Sequence, residues 1–151
     1  QQDRFMLKLK IKYPNKNEER SIIDRFSRDE SNAPSVNEIL TKENIFKLRK
    51  AVDNIFVHEN IKNYVLDIIF KTREPSSYIS CGASPRASIN LIKAAKCRAF
   101  MEGRGFVVPD DVKAMVYDVL RHRILLSYEA EAENITSENI ITQILEQINL
   151  P

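Results

Sequence analysis

Glycine is scarce in this sequence: three residues in 151, alongside two cysteines and no tryptophan. So few glycines argue against long irregular loops and against a glycine-rich phosphate cradle. The G-x-x-x-x-G-K-S/T pattern is absent, and so is an acidic magnesium-binding strand of the P-loop type. Without them the chain cannot cradle a nucleoside triphosphate or place Mg2+, and turnover of ATP by this chain alone is not expected. Cys81 and Cys97 are too few for a disulfide framework or a metal site. Both are expected as reduced thiols, Cys97 as a small core residue. No nucleophile elbow, His/Cys metal spacing or helical His-x-x-x-His occurs. No apolar run approaches the ~20 residues of a membrane span. The opening Gln1-Gln2-Asp3-Arg4 does not read as a signal peptide, and the expected location is cytoplasmic. A net charge of +2 is too small for an electrostatic footprint on nucleic acid. Lys8, Lys10, Lys12 and Arg121–Arg123 give only a weak hint of one, and no nucleic-acid partner is expected.

Hydrophobic residues make up 43% of the chain and charged residues 29%, the balance of a globular domain rather than a disordered one. The length suits one domain with a real core. Phe5, Leu7, Leu9 and Ile11 alternate with Met6, Lys8, Lys10 and Lys12, which predicts a strand. Tyr13-Pro14 ends it. No strand-like run follows closely, so this strand is an orphan whose sheet is expected upstream, with the chain a fragment. A helix is predicted from Asn15 to about Ser31, with Ile22, Ile23 and Phe26 apolar. Ser31-Asn32-Ala33-Pro34-Ser35 reads as a linker. Further helices are predicted from Lys42 to about Asn54 behind a Thr41 cap, and from Glu59 to Lys71. Pro109 opens another, with Asp110 and Asp111 at its favourable end. Thr136 caps the last, through about Ile148. Thr72 to Ser80 reads as a polar loop, and Glu129, Glu131 and Glu133 as an acidic loop. Ile124-Leu125-Leu126 suits either an extended or a helical state. Arg121, His122 and Arg123 read as a solvated cap at a helix end.

The most informative stretch is Gly82-Ala83-Ser84-Pro85-Arg86-Ala87, which opens an apolar-periodic run to about Glu102. Ser84 suits the N-cap, because its hydroxyl can accept a first-turn N–H. Pro85 suits the first helical position, where its missing N–H costs nothing. Arg86 then falls in the first turn, an odd place for a cation beside the positive end of the helix dipole. An anion brought there would satisfy both the arginine and the free N–H groups. A solvated arginine on a capped helix is the plainer alternative, and these residues alone do not decide between them.

The wider pattern does. It comprises Gly82–Ala87, Ile89-Asn90-Leu91-Ile92-Lys93-Ala94-Ala95-Lys96, Gly103-Arg104, Val108-Pro109-Asp110-Asp111-Val112 and Val119-Leu120-Arg121-His122-Arg123. Together, from about Tyr64 to Ser127, these resemble the lid of MoxR-type AAA+ ATPases. Gln1-Gln2-Asp3-Arg4-Phe5, the following strand and Tyr13-Pro14 resemble the end of that family's ATPase core, apart from Gln2, where the family usually has an apolar residue. The resemblance implies a mainly α fold: an AAA+ lid-type helical bundle over residues 36–151, preceded by a core remnant over residues 1–35. It implies that Arg86, with Ser84 beside it, is the sensor 2 arginine that reaches the γ-phosphate of bound ATP. A planar, permanently charged fork suits phosphate oxygens. It implies that Arg4 is the arginine finger that acts across a subunit boundary. ATP and Mg2+ are then cofactors of the longer protein, not of this fragment. The ATPase core of the same chain, a homo-oligomeric and usually hexameric ring, and von Willebrand A-domain proteins are the implied partners. The implied work is chaperone-like remodelling or assembly of partner proteins. The competing reading from the residues alone is a stand-alone helical protein-interaction module without nucleotide chemistry.

Overall fold

A computed structural model describes residues 1–27 and 36–151 of the chain. The predicted linker at Ser31–Ser35 lies outside the described residues. The helices are α1 (Lys16–Phe26), α2 (Lys42–Asp53), α3 (Glu59–Lys71), α4 (Pro85–Met101), α5 (Pro109–Leu120), α6 (Tyr128–Ala132) and α7 (Ser137–Gln147). Most helices start at a side chain able to accept a first-turn N–H. Asn15 forms a full capping box with Glu18, and Thr41, His58, Ser84, Ser127 and Thr136 each accept one backbone N–H. Each such bond satisfies a donor that the helix itself cannot.

Helix α4 is the hub, packed against α5, α3 and α2. Its buried face is Ala87, Leu91, Ala94, Ala95 and Ala99. Four alanines let neighbouring backbones approach closely, and the bulk comes from the facing helices. Val112, Val116, Val119 and Leu120 of α5 are fully buried, as are Ile68 and Ile69 of α3 and Ile141 of α7. Gly103, at φ +71°, ends α4 in the left-handed conformation that favours glycine. Arg104 then donates a fork to Asp111 at 2.6 and 2.8 Å. Asp111, 1% exposed, also accepts the Val108 N–H at 2.9 Å. Burial alone would raise this carboxyl's pKa, but the Arg104 fork and the Val108 N–H outweigh it and hold the pKa below the usual carboxylate value.

The loops after α2 and α4 meet in a parallel bridge between Phe56 and Phe106. Strand β1 (Ile79–Cys81) pairs antiparallel with β2 (Leu125–Leu126). This resolves the Ile124–Leu126 ambiguity as extended at Leu125 and Leu126, with Ile124 in the bend before them. It also corrects the all-loop reading of Thr72–Ser80 at its end. The Glu129–Glu133 region is a short helix, α6, rather than a loop, because the Ser127 hydroxyl caps it and Ala130 is buried beneath it. Cys97 is exposed, not a core residue: it lies on the outer face of α4, while the alanines take the inner one.

Residues Phe5 to Ile11, expected as a strand, form none among the described residues. One ladder-like bond remains, from the Lys8 N–H to the Asp118 carbonyl at 2.8 Å. Phe5, Leu9 and Ile11 are exposed, and α1 and α2 bury no residue at all. Ile22, Ile23, Phe26, Ile45 and Phe46 leave two apolar helix faces uncovered.

Candidate functional site

The site assembles at the start of α4. Thr72, at the end of α3, is fully buried. Its hydroxyl donates to the Ile69 carbonyl at 2.7 Å and accepts the Ala83 N–H at 3.0 Å. The Arg73 Nε donates to the Ala83 carbonyl at 2.8 Å. The chain passes so close to Thr72 that a Cβ on Gly82 would meet its carbonyl oxygen at 2.3 Å. Glycine is needed here for space, not for a special φ. The residues that enter the helix are therefore pinned to the end of its neighbour.

Ser84 follows as the N-cap and accepts the Arg86 N–H at 3.3 Å. Its hydroxyl faces both carboxylate oxygens of Asp3, each at 3.0 Å, and donates to that group. The Arg86 guanidinium is 61% exposed, and one nitrogen lies 3.7 Å from Asp3. At that exposure and distance an ion pair contributes little. The first-turn N–H groups are less free than the sequence suggests. That of Arg86 is taken by the Ser84 hydroxyl and that of Ala87 by the Ser84 carbonyl at 2.9 Å. The guanidinium, not the backbone, is the donor left to meet an incoming anion. An exposed cation with one weak contact fits a phosphate oxygen presented from outside the bundle.

Arg4 lies in a single turn of 3-10 helix, Gln2–Arg4, and is exposed. Its side chain has no hydrogen-bond or ion-pair partner among the described residues. Asp3, its neighbour, joins the Arg4 turn to Ser84 and Arg86.

The Arg121–Arg123 cluster is not the solvated cap that the sequence suggested. His122 is 7% exposed and Arg123 5%. The Arg123 guanidinium donates to the Asp3 carboxylate at 3.1 Å and the Asp3 carbonyl at 3.1 Å. It also donates to the carbonyls of Met6, Phe5 and Val119. The His122 Nε2 lies 2.9 Å from the Phe5 carbonyl. Burial is the main cause that pushes the His122 pKa down; the Phe5 carbonyl opposes it, and Arg123 and Lys8 add to it. Arg121 pairs with Asp118 at 2.7 Å and reaches the Lys8 carbonyl. The physical reason is the N-terminal segment. It returns across the end of α5, buries the two basic side chains and supplies their acceptors. Asp3 and Arg123 are thus site residues that sequence reasoning missed; the one usable signal was the quoted Val119–Arg123 motif.

Residues 73–144 of this bundle match the family model of the AAA lid domain. Chaperone MoxR1 of Mycobacterium tuberculosis is 38% identical over the whole chain, which covers 41% of that protein. YeaC of Bacillus subtilis is 37% identical over the whole chain, which covers 47% of YeaC. A crystal structure of a candidate ATPase from Cytophaga hutchinsonii superposes with a TM-score of 0.92 at 38% identity, covering 99% of this chain and 47% of that one. The chain belongs to the MoxR-type AAA+ proteins, in the part that forms the lid and the segment before it. It spans less than half the length of these relatives. Among the described residues, no helix is long and apolar enough to cross a membrane.

Proposed function

We propose that residues 36–151 are the lid of a cytoplasmic MoxR-type AAA+ ATPase, that residues 1–35 come from its core, and that Arg86 senses bound ATP. The observation that carries this is the Arg86 guanidinium, exposed on a braced helix start and held by nothing stronger than a 3.7 Å contact. ATP with Mg2+, held by the core, supplies the phosphoryl-transfer chemistry. This chain's part is to bring a planar cation to the γ-phosphate as the lid closes. Ser84 keeps the first turn formed, so that Arg86 projects from a fixed point. Arg4 serves as the arginine finger toward an adjoining subunit of a homo-oligomeric ring, which we take to be hexameric. The uncovered apolar faces of α1 and α2 support packing against the ATPase core of the same chain. The lid's motion then drives chaperone-like remodelling or assembly of partner proteins, von Willebrand A-domain proteins among them.

The experiment is to compare Arg86→Ala and Arg86→Lys in the assembled ring and in this chain alone. Loss of one charge-assisted donor to a transferring group costs about 10²–10³ in rate. Arg86→Ala therefore lowers kcat by roughly a hundredfold, and Arg86→Lys falls between. The thermal melt of this chain stays within a few degrees of the parent for both. Full turnover in Arg86→Ala removes the sensor assignment. A collapse of the chain's melting temperature would make Arg86 a structural residue and favour a stand-alone interaction module.

A further inference from the structure

Arg123 is a cation taken wholly out of water: its side chain is 0% exposed. Asp3 is the carboxylate it pairs with, at 3.1 Å, and the other acceptors around it are backbone carbonyls. A buried charge is tolerated only when paired and hydrogen-bonded, so Asp3 is held where it stands. The same carboxylate takes the Ser84 hydroxyl at 3.0 Å. Around it, the Asp3, Phe5 and Met6 carbonyls face Arg123, and the Phe5 carbonyl faces His122. The side-chain hydrogen bonds that fix residues 3 to 6 thus run, among the described residues, to Ser84, His122 and Arg123. Arg4 sits in the middle of this stretch with its own side chain exposed and unpartnered.

We propose that Asp3 is a positioning residue that locks the Arg4 turn to the lid, so that finger and sensor move as one unit. The inference rests on the reading of Arg86 and Arg4 given above. The distances divide the labour. Asp3 holds Ser84 at 3.0 Å and Arg123 at 3.1 Å, while Arg86 is 3.7 Å away. Arg86 can therefore leave for a phosphate with the Asp3 lock still closed. With the lock closed, the Arg4 turn stays against the lid at Ser84 and Arg123, beside Arg86. Without the lock, Arg4 belongs to a mobile segment, and its aim no longer depends on the lid.

The first test uses this chain alone. Asp3→Asn keeps the size of the side chain and removes its charge. Deuterium exchange at the Lys8 amide and tryptic cleavage after Lys8 report whether the segment has left the lid. Both accelerate by about tenfold or more, while exchange in the middle of α4 and α5 stays as it was. If the unpaired Arg123 cation unfolds that variant, the pair Asp3→Asn with Arg123→Gln removes both charges and gives the same readout. The second test uses the ring assembled with the ATPase core. A displaced finger lowers kcat by roughly tenfold to a hundredfold and leaves the KM for ATP nearly unchanged, because ground-state binding does not use Arg4. Unchanged exchange and cleavage at Lys8 overturn the lock. Turnover that falls in Arg4→Ala and Arg86→Ala but stays whole in Asp3→Asn also overturns the lock and leaves the sensor and finger reading standing. Full turnover in Arg4→Ala and Arg86→Ala removes that reading, and the coupling goes with it.

Discussion

Gly82→Ala tests how the start of α4 is held. The added Cβ would stand 2.3 Å from the Thr72 carbonyl oxygen, 2.8 Å from its carbon and 2.9 Å from the Arg73 Cγ. Ordinary contact begins near 3.4 Å, so the two backbones must separate by about 1 Å. The Arg73 side chain can step aside; the Thr72 backbone, at the end of a packed helix, cannot do so freely. The same separation stretches the 3.0 Å bond from the Ala83 N–H to the Thr72 hydroxyl toward ~4 Å, beyond hydrogen-bond range. Ala83 is 1% exposed, so its N–H has no water to turn to. Overpacking costs about 1–3 kcal/mol and a stranded buried N–H about 1–3 kcal/mol. The sum, roughly 2–6 kcal/mol, lowers the melting temperature by roughly 4–24 °C for a chain of this size. Circular dichroism melts of the 151-residue chain measure it. Gly105→Ala is the control: nothing lies within 4 Å of its added Cβ. Its backbone is not left-handed, so the change is neutral or slightly stabilising. A Gly82→Ala melt within about 2 °C of the parent would refute the argument, because it would mean that the Thr72 contact yields without cost.

Three further outcomes follow from the buried titratable groups. Asp111→Asn destabilises the chain clearly, because the Arg104 fork loses its charged partner in a site 1% exposed; Lys47→Ala, which breaks an ion pair exposed at both ends, leaves the melt nearly unchanged. The Asp111 pKa is held below its unfolded value, so its contribution is present above the usual carboxylate range and is lost as pH falls through it, visible in melts from pH 6 downward. His122 is also depressed, from 6.5. The unfolded chain takes up that proton first, so stability falls as pH drops below about 6.5, and His122→Gln flattens that part of the profile.

What the sequence made legible was local. The starts of α1, α2, α4 and α7 were marked by Asn15, Thr41, Ser84 and Thr136, because a cap and its N–H lie within three residues. The position of Arg86 in a first turn followed from Ser84 and Pro85 for the same reason. Elements of five residues or fewer, β1, β2 and α6, carry too little periodicity to declare themselves. The alternation at Phe5–Ile11 pointed to a strand, yet none forms there among the described residues; the segment lies across the end of α5 instead. What holds the site together was not legible, because its bonds span the chain. The Thr72 hydroxyl reaches an amide 11 residues on, Ser84 an acid 81 residues back, and Arg123 the same acid 120 residues back. No pattern within a window can announce such pairs. A buried arginine and a surface arginine look alike until the chain has folded over one of them. That difference sorts the three arginines of the site. Arg123 is buried, paired and therefore structural. Arg86 and Arg4 are exposed and barely held, so little folding energy is spent on them, and their charge stays available for chemistry that folding does not require.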